Sequence, residues 1–65
     1  MDDLIIKCAR RHTDEMVIYE VGSSGNFVQF DASDQSGDTV SIVLDVASAR
    51  QLHEWLGRYL ENSNG

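Results

Sequence analysis

The chain lacks most of the devices that hold a small domain together. It has 65 residues, a single cysteine, Cys8, and no proline, so no disulfide can form within the chain. Only Cys8, His12 and His53 offer nitrogen or sulfur ligands for a structural zinc ion, which ordinarily takes four. A domain of this length buries only about 60% of the surface that its unfolded chain exposes. The sequence therefore predicts support from a well-packed core or from self-association.

Long apolar runs and a basic balance are absent as well. No stretch of 18 apolar residues occurs, which is the length that a membrane-spanning helix needs. The opening "MDDLIIKC" lacks the basic and apolar regions of a signal peptide, so we expect a cytoplasmic protein that does not contact a membrane. The formal net charge of −6 repels nucleic acid and favours a partner with a basic surface.

Catalytic and metal-binding patterns are missing too. "LHEWL" lacks the second histidine that a zinc-protease helix carries four positions after the first, here His53. Asp31, Asp34 and Asp38 cluster in "FDASDQSGD", but their spacing does not fit a calcium-binding loop, and Asp and Ser are favoured in turns in any case. Nothing resembles a catalytic triad or a pair of catalytic carboxylates. We expect no enzyme activity, no metal and no cofactor.

Four short segments have the composition of strands. They are separated by polar turns, two of which are the glycine-containing "GSSGN" and "SDQSGD". Short strands with short connections favour an antiparallel meander. The predicted strands are residues 4–11, 15–21, 27–32 and 39–44.

The apolar period changes to that of a helix after Asp45, which is a suitable N-cap residue. Apolar residues then fall on one helix face: Val46, Ala49, Leu52, Trp55, Leu56, Tyr59 and Leu60. Gly57 borders this arc, where a missing side chain would let another backbone approach closely. The predicted fold is an α+β domain of residues 1–61, a four-stranded antiparallel meander followed by one C-terminal helix packed on one sheet face (ββββα), with a disordered tail at 62–65.

The strands carry apolar residues on both faces, although one helix can cover only one of them. Alternation groups the first set as Leu4, Ile6, Cys8, Met16, Ile18, Val40, Ile42 and Leu44, which we expect beneath the helix. The second set is Ile5, Ala9, Val17, Tyr19, Val21, Val28, Phe30 and Val43. Because a contiguous apolar patch is unusual on a soluble monomer, we expect the second face to bind a second copy or another protein. The predicted interface residues are Val17, Tyr19, Val21, Val28, Phe30 and Trp55.

These features favour a small, acidic, non-catalytic protein-interaction module. We expect a homodimer that acts as an accessory or inhibitory factor on a larger protein, of the kind that phages and mobile elements encode. The basic cluster of Lys7, Arg10 and Arg11, together with Tyr19 and Phe30, predicts as an alternative a small platform for single-stranded nucleic acid, in which cations hold phosphates and aromatic rings stack on bases. The ββββα order resembles, in topology alone, the PC4-like proteins, which dimerise and bind single strands. A third hypothesis is an acidic DNA mimic. Its carboxylates would be those of Asp31, Asp34, Asp38, Glu54 and Glu61.

Overall fold

The structure, a computed structural model, describes residues 1–63. Its elements are β1 (Leu4–Lys7), β2 (Glu15–Val21), β3 (Phe27–Ser33), β4 (Thr39–Asp45) and α1 (Val46–Asn62). The four strands form one antiparallel sheet in the order β1-β2-β3-β4, and α1 contacts that sheet. The predicted ββββα arrangement is confirmed.

The helix begins directly where the last strand ends. Asp45 closes β4 in extended conformation, and its carboxylate accepts a hydrogen bond of 2.8 Å from the backbone N–H of Ser48. This bond satisfies one of the free donors of the first helical turn, as predicted for an N-cap residue. At the other end the N–H of Ser63 donates to the carbonyl of Tyr59. The helix thus includes Asn62, the first residue of the segment predicted as a tail, while residues 64 and 65 lie outside the described part.

The first strand is shorter than predicted. It ends at Lys7, and the chain turns through residues 8–14. The N–H of Cys8 donates to the carbonyl of Asp14, and the N–H of Asp14 donates to the carbonyl of Arg11. These bonds close a turn, so Arg11 lies in a connection rather than in a strand.

The three connections fix which residues share a face. They contain seven, five and five residues, and the pairs that close them join an odd-numbered residue to an odd-numbered one. The closing pairs are Lys7 with Glu15, Val21 with Phe27, and Ser33 with Thr39. No bulge interrupts the registers, so every odd-numbered strand residue lies on one face and every even-numbered one on the other. The loop after Val21 reverses the chain through Gly22 and Gly25, both at positive φ, which glycine adopts without steric cost.

The helix covers little of the sheet. It contacts β4 and β3, and none of its residues comes within 8 Å of β1 or β2 between Cα atoms. The Cα radius of gyration is 13.5 Å, compared with about 11 Å for a compact domain of 65 residues. No residue among 1–63 is buried. The described chain therefore has two layers that meet at one end and no enclosed core.

Candidate protein-interaction surface

The even-numbered face of the sheet is almost entirely apolar. We call it the apolar face, and its members are Leu4, Ile6, Met16, Ile18, Val28, Phe30, Ala32, Val40, Ile42 and Leu44. Its one charged residue, Glu20, lies beside the 22–26 loop and accepts a 2.7 Å hydrogen bond from the Met1 ammonium group. Cross-strand neighbours such as Ile18, Phe30 and Ile42 form a continuous row across β2, β3 and β4. The row makes this face a single hydrophobic surface.

The start of α1 faces one end of this surface. Ala49 and Leu52 line a groove of about 340 Å³ together with Val28, Phe30 and Leu44. These strand residues are therefore half-buried rather than exposed.

The opposite end of the apolar face is open. Ile42 is 58% exposed and Val40 is 69% exposed. Beside them runs a second groove, of about 450 Å³, whose apolar lining includes Ile6, Met16 and Ala32. A soluble monomer seldom exposes a contiguous patch of this kind unless something binds there.

The second half of α1 exposes a matching apolar surface. We call it the outer helix arc, and it comprises Trp55, Leu56, Tyr59 and Leu60. Trp55 is 57% exposed, and its ring stacks on that of Tyr59 with 5.7 Å between centroids and 9° between planes. The stack presents one broad aromatic surface, with both residues more than half exposed.

The odd-numbered face is mixed, and a carboxylate organises its centre. Asp31 accepts hydrogen bonds from the Ser41 hydroxyl at 2.6 Å, the Tyr19 hydroxyl at 2.7 Å and the Gln29 side-chain amide at 2.8 Å. The bonds from Ser41, Gln29 and Tyr19 hold the pKa of Asp31 below its usual value, because they favour the charged form. The hydrogen bond from the Tyr19 hydroxyl to Asp31 raises the pKa of Tyr19, because the carboxylate holds the hydroxyl proton. We call this face the polar face.

The predicted grouping of strand residues is wrong for β3. Phe30 pairs with Ile18 and Val28 pairs with Glu20, so both lie on the apolar face and not beside Tyr19. The predicted interface set is therefore divided: Val17, Tyr19 and Val21 lie on the polar face, Val28 and Phe30 on the apolar face, and Trp55 on the helix. The face expected beneath the helix is the one left largely open, and Ile42, which the interface prediction omitted, lies exposed on it in the edge strand β4.

The two aromatic residues of the nucleic-acid hypothesis do not come together. Tyr19 and Phe30 lie on opposite faces, so they cannot form one stacking platform. Lys7 forms an ion pair of 2.6 Å with Glu15, its cross-strand neighbour. Arg10 is an exposed residue of the turn after β1.

The carboxylates of the DNA-mimic hypothesis are spread over three parts of the fold. Asp31 lies in β3, Asp34 and Asp38 in the turn before β4, and Glu54 and Glu61 in α1. Within the turn, the Ser36 hydroxyl donates to Asp34 at 2.6 Å and to Asp38 at 3.3 Å. The N–H groups of Ser36 and Asp38 also donate to Asp34. These bonds are the local side-chain contacts expected of turn residues.

Over residues 1–63 we find no group of three His, Cys, Asp or Glu side chains placed to hold a metal ion. In the same range, no helix has the length and apolar composition to cross a bilayer. Comparison of the chain with models of protein families, with curated proteins and with solved structures gives no match.

Proposed function

We propose that the chain is a small, acidic, non-catalytic protein-interaction module that works as a homodimer and binds a larger protein as an accessory or inhibitory factor. One observation carries the proposal: a chain with 42% hydrophobic residues buries none of its described residues. Full burial of a Leu, Ile or Phe side chain contributes roughly 1.5–3 kcal/mol. Without that contribution, a domain of 65 residues has little to offset its conformational entropy.

The surface area supports a partner that covers much of the chain. The accessible surface is 5478 Å², whereas a compact monomer of 7.3 kDa exposes about 4,200 Å². The excess is about 1,300 Å² per copy, which corresponds to about 2,600 Å² for two copies together. That total lies in the range of obligate homodimers, about 2,000–5,000 Å².

The larger partner would meet a different surface. Pairing through the apolar face leaves the polar face, with Asp31 at its centre, directed outward. The net charge of −6 per copy favours a partner with a basic surface and accelerates its association at low salt. A cytoplasmic location belongs to the same proposal and is based on sequence composition.

Light scattering after size exclusion tests the homodimer. The wild-type chain is expected at twice 7.3 kDa at micromolar concentration. Ile42→Asp would place a charge on the exposed part of the apolar face, in the edge strand β4, and we expect it to abolish the dimer. Val43→Asp is the matched control: it changes the next residue of the same strand, at 52% exposure against 58% for Ile42, but on the polar face, so its mass should stay that of a dimer. A folded wild-type particle of 7.3 kDa would refute the proposal.

No contact in the described chain favours the nucleic-acid hypothesis over this one. A fluorescent single-stranded oligonucleotide, titrated at low salt, gives it a direct test. Binding that weakens steeply with added salt would revive that hypothesis.

A further inference from the structure

Each copy offers two apolar surfaces of complementary shape. The open end of the apolar face is a broad sheet surface, and the outer helix arc is a ridge whose apolar side chains are 42–63% exposed. Helices pack on sheets through such pairs of apolar surfaces. The helix has 17 residues and is therefore about 25 Å long, and its last nine residues span about 13 Å. Four strands span about 14 Å, so half of the helix matches the width of the sheet.

Within one copy these two surfaces do not meet. No loop separates β4 from α1, and the capping bond that the Ser48 N–H donates to the Asp45 carboxylate fixes the direction in which the helix leaves the sheet. The first turns of α1 face Val28 and Leu44, whereas Trp55, Tyr59 and Leu60 are each more than half exposed. Turning the helix over β1 and β2 would require this junction to be rebuilt.

Direct packing of two sheets would not cover both apolar surfaces either. Two sheets packed face to face lie about 10 Å apart, but the first turns of α1 already occupy the same side of the sheet, and a helix is itself about 10 Å wide. A second sheet cannot sit flat against the apolar face at that end. Such a dimer would also leave Trp55 and Tyr59 exposed to water.

We propose that, in the homodimer, the second half of α1 from each copy lies across the open end of the other copy's apolar face. Trp55 and Tyr59 of one copy would then contact the row through Ile42, or the groove beside Val40. The exchange is reciprocal, so a two-fold axis relates the copies and the assembly closes at two. This inference rests on the proposed homodimer and specifies its arrangement.

Cysteine cross-linking tests the arrangement. In a Cys8→Ser background, one chain carries a single cysteine on the sheet, Ile42→Cys or Ile6→Cys. The second chain carries a single cysteine on the helix, Leu56→Cys or Leu60→Cys. The chains are mixed in urea, refolded together and oxidised with diamide, and mass spectrometry identifies the products. Because each chain has one cysteine, no cross-link can form within a chain. We expect at least one of the four sheet–helix pairs to cross-link in high yield, whereas sheet–sheet pairs should remain reduced.

Two results would overturn the inference in different ways. Cross-links of Ile42→Cys to itself without any sheet–helix product, in a sample that light scattering identifies as a dimer, would reject the exchanged helix and leave the homodimer intact. A folded monomer by light scattering would reject both.

A second measurement protects the test from variants that fail to fold. Wild-type chains labelled with ¹³C are mixed in urea with unlabelled chains and refolded, and isotope-filtered NMR detects contacts between copies. Contacts from the Trp55 ring protons of one copy to the Ile42 or Ile6 methyl groups of the other are expected. If the only contacts between copies join methyl groups of the two sheets, the exchange is rejected.

Discussion

Asp31 has the most hydrogen-bonded side chain in the sheet, and it lies on the polar face, where sequence reasoning treated it as turn material or a phosphate mimic. Its three donors come from β2, β3 and β4, so this one carboxylate ties neighbouring strands together. The position of Asp31 could have been predicted from whether the residues that pair across the loop have odd or even numbers. The five-residue loop 22–26 places Val21 opposite Phe27, after which Tyr19 pairs with Gln29 and the odd-numbered residues of both strands share a face.

Acid should weaken the fold through this carboxylate. The pKa of Asp31 is lower in the folded chain than its ordinary value of about 4, since its hydrogen bonds favour the charged form. The resulting stabilisation is complete above about pH 5 and is lost as the pH falls through 4 and below the folded-state pKa. Asp31→Asn cannot accept all three bonds and has no charge to lose, so it should be less stable than wild type at pH 7 and should lose less stability on acidification. Urea midpoints at pH 7 and pH 3 measure this.

Asp2→Asn is the control for the acid experiment, because the side chain of Asp2 accepts no hydrogen bond within the described residues. It should follow the wild-type pH dependence. Equal losses for wild type and Asp31→Asn would contradict the role given to Asp31.

At the scale of the elements, periodicity predicted the fold well and the ends of elements less well. The strand and helix periods of 2 and 3.6 residues identified all five elements, and the capping chemistry of Asp45 located the start of α1 to the residue. The end of β1 was missed because Cys8 and Asp14 bond across a turn that contains no glycine or proline to mark it. The direction of α1 could not be predicted, since it depends on the backbone angles at Asp45 and not on any pattern in the helix.

Gly57 weakens the helix for no reason visible within one copy. A Cβ atom built at this position meets no atom within 4 Å, and the backbone there has ordinary helical geometry. Gly57→Ala should therefore stabilise the chain by about 1 kcal/mol, because glycine costs about that much in a helix interior. Urea unfolding measures the change, and light scattering checks the mass.

The comparison for this variant is Gly37→Ala. That position is equally open, but its φ of 90° disfavours any residue with a side chain, so the substitution should destabilise. A loss of stability together with a loss of dimer in Gly57→Ala would instead mean that the backbone of the second copy lies against this glycine.

At the scale of the whole molecule, stability should depend on protein concentration. If two chains fold into one unit, the unfolding enthalpy is that of both, about 90 kcal/mol near 60 °C, and the melting temperature falls by about 5 °C for each tenfold dilution. Circular dichroism over two decades of concentration measures the slope. Ile42→Asp should unfold at lower temperature, and Val43→Asp should keep the wild-type slope. A melting temperature that does not change on dilution would indicate that each chain is stable alone.

The sequence predicted that one helix could not cover all of the apolar surface. The structure agrees, because much of the apolar face is exposed. The sequence did not predict which surface would remain open, because Val28 and Phe30 were placed on the opposite face from Ile18. The hypothesis of self-association is therefore kept, while its site moves from the face of Tyr19 to the face of Ile42.

If the chain pairs as proposed, its apolar interior forms only in the dimer, and its lifetime then depends on its concentration. An unpaired copy would leave its apolar strands and helix accessible to cellular proteases. Proteases degrade a protein at a rate that follows the fraction of its molecules that are unfolded. Copies made faster than they are cleared would find each other and persist, and copies made slowly would be destroyed. Because no loop after Asp45 lets the helix fold back over its own sheet, the dimer would have a threshold of expression. Below that threshold the protein would not accumulate.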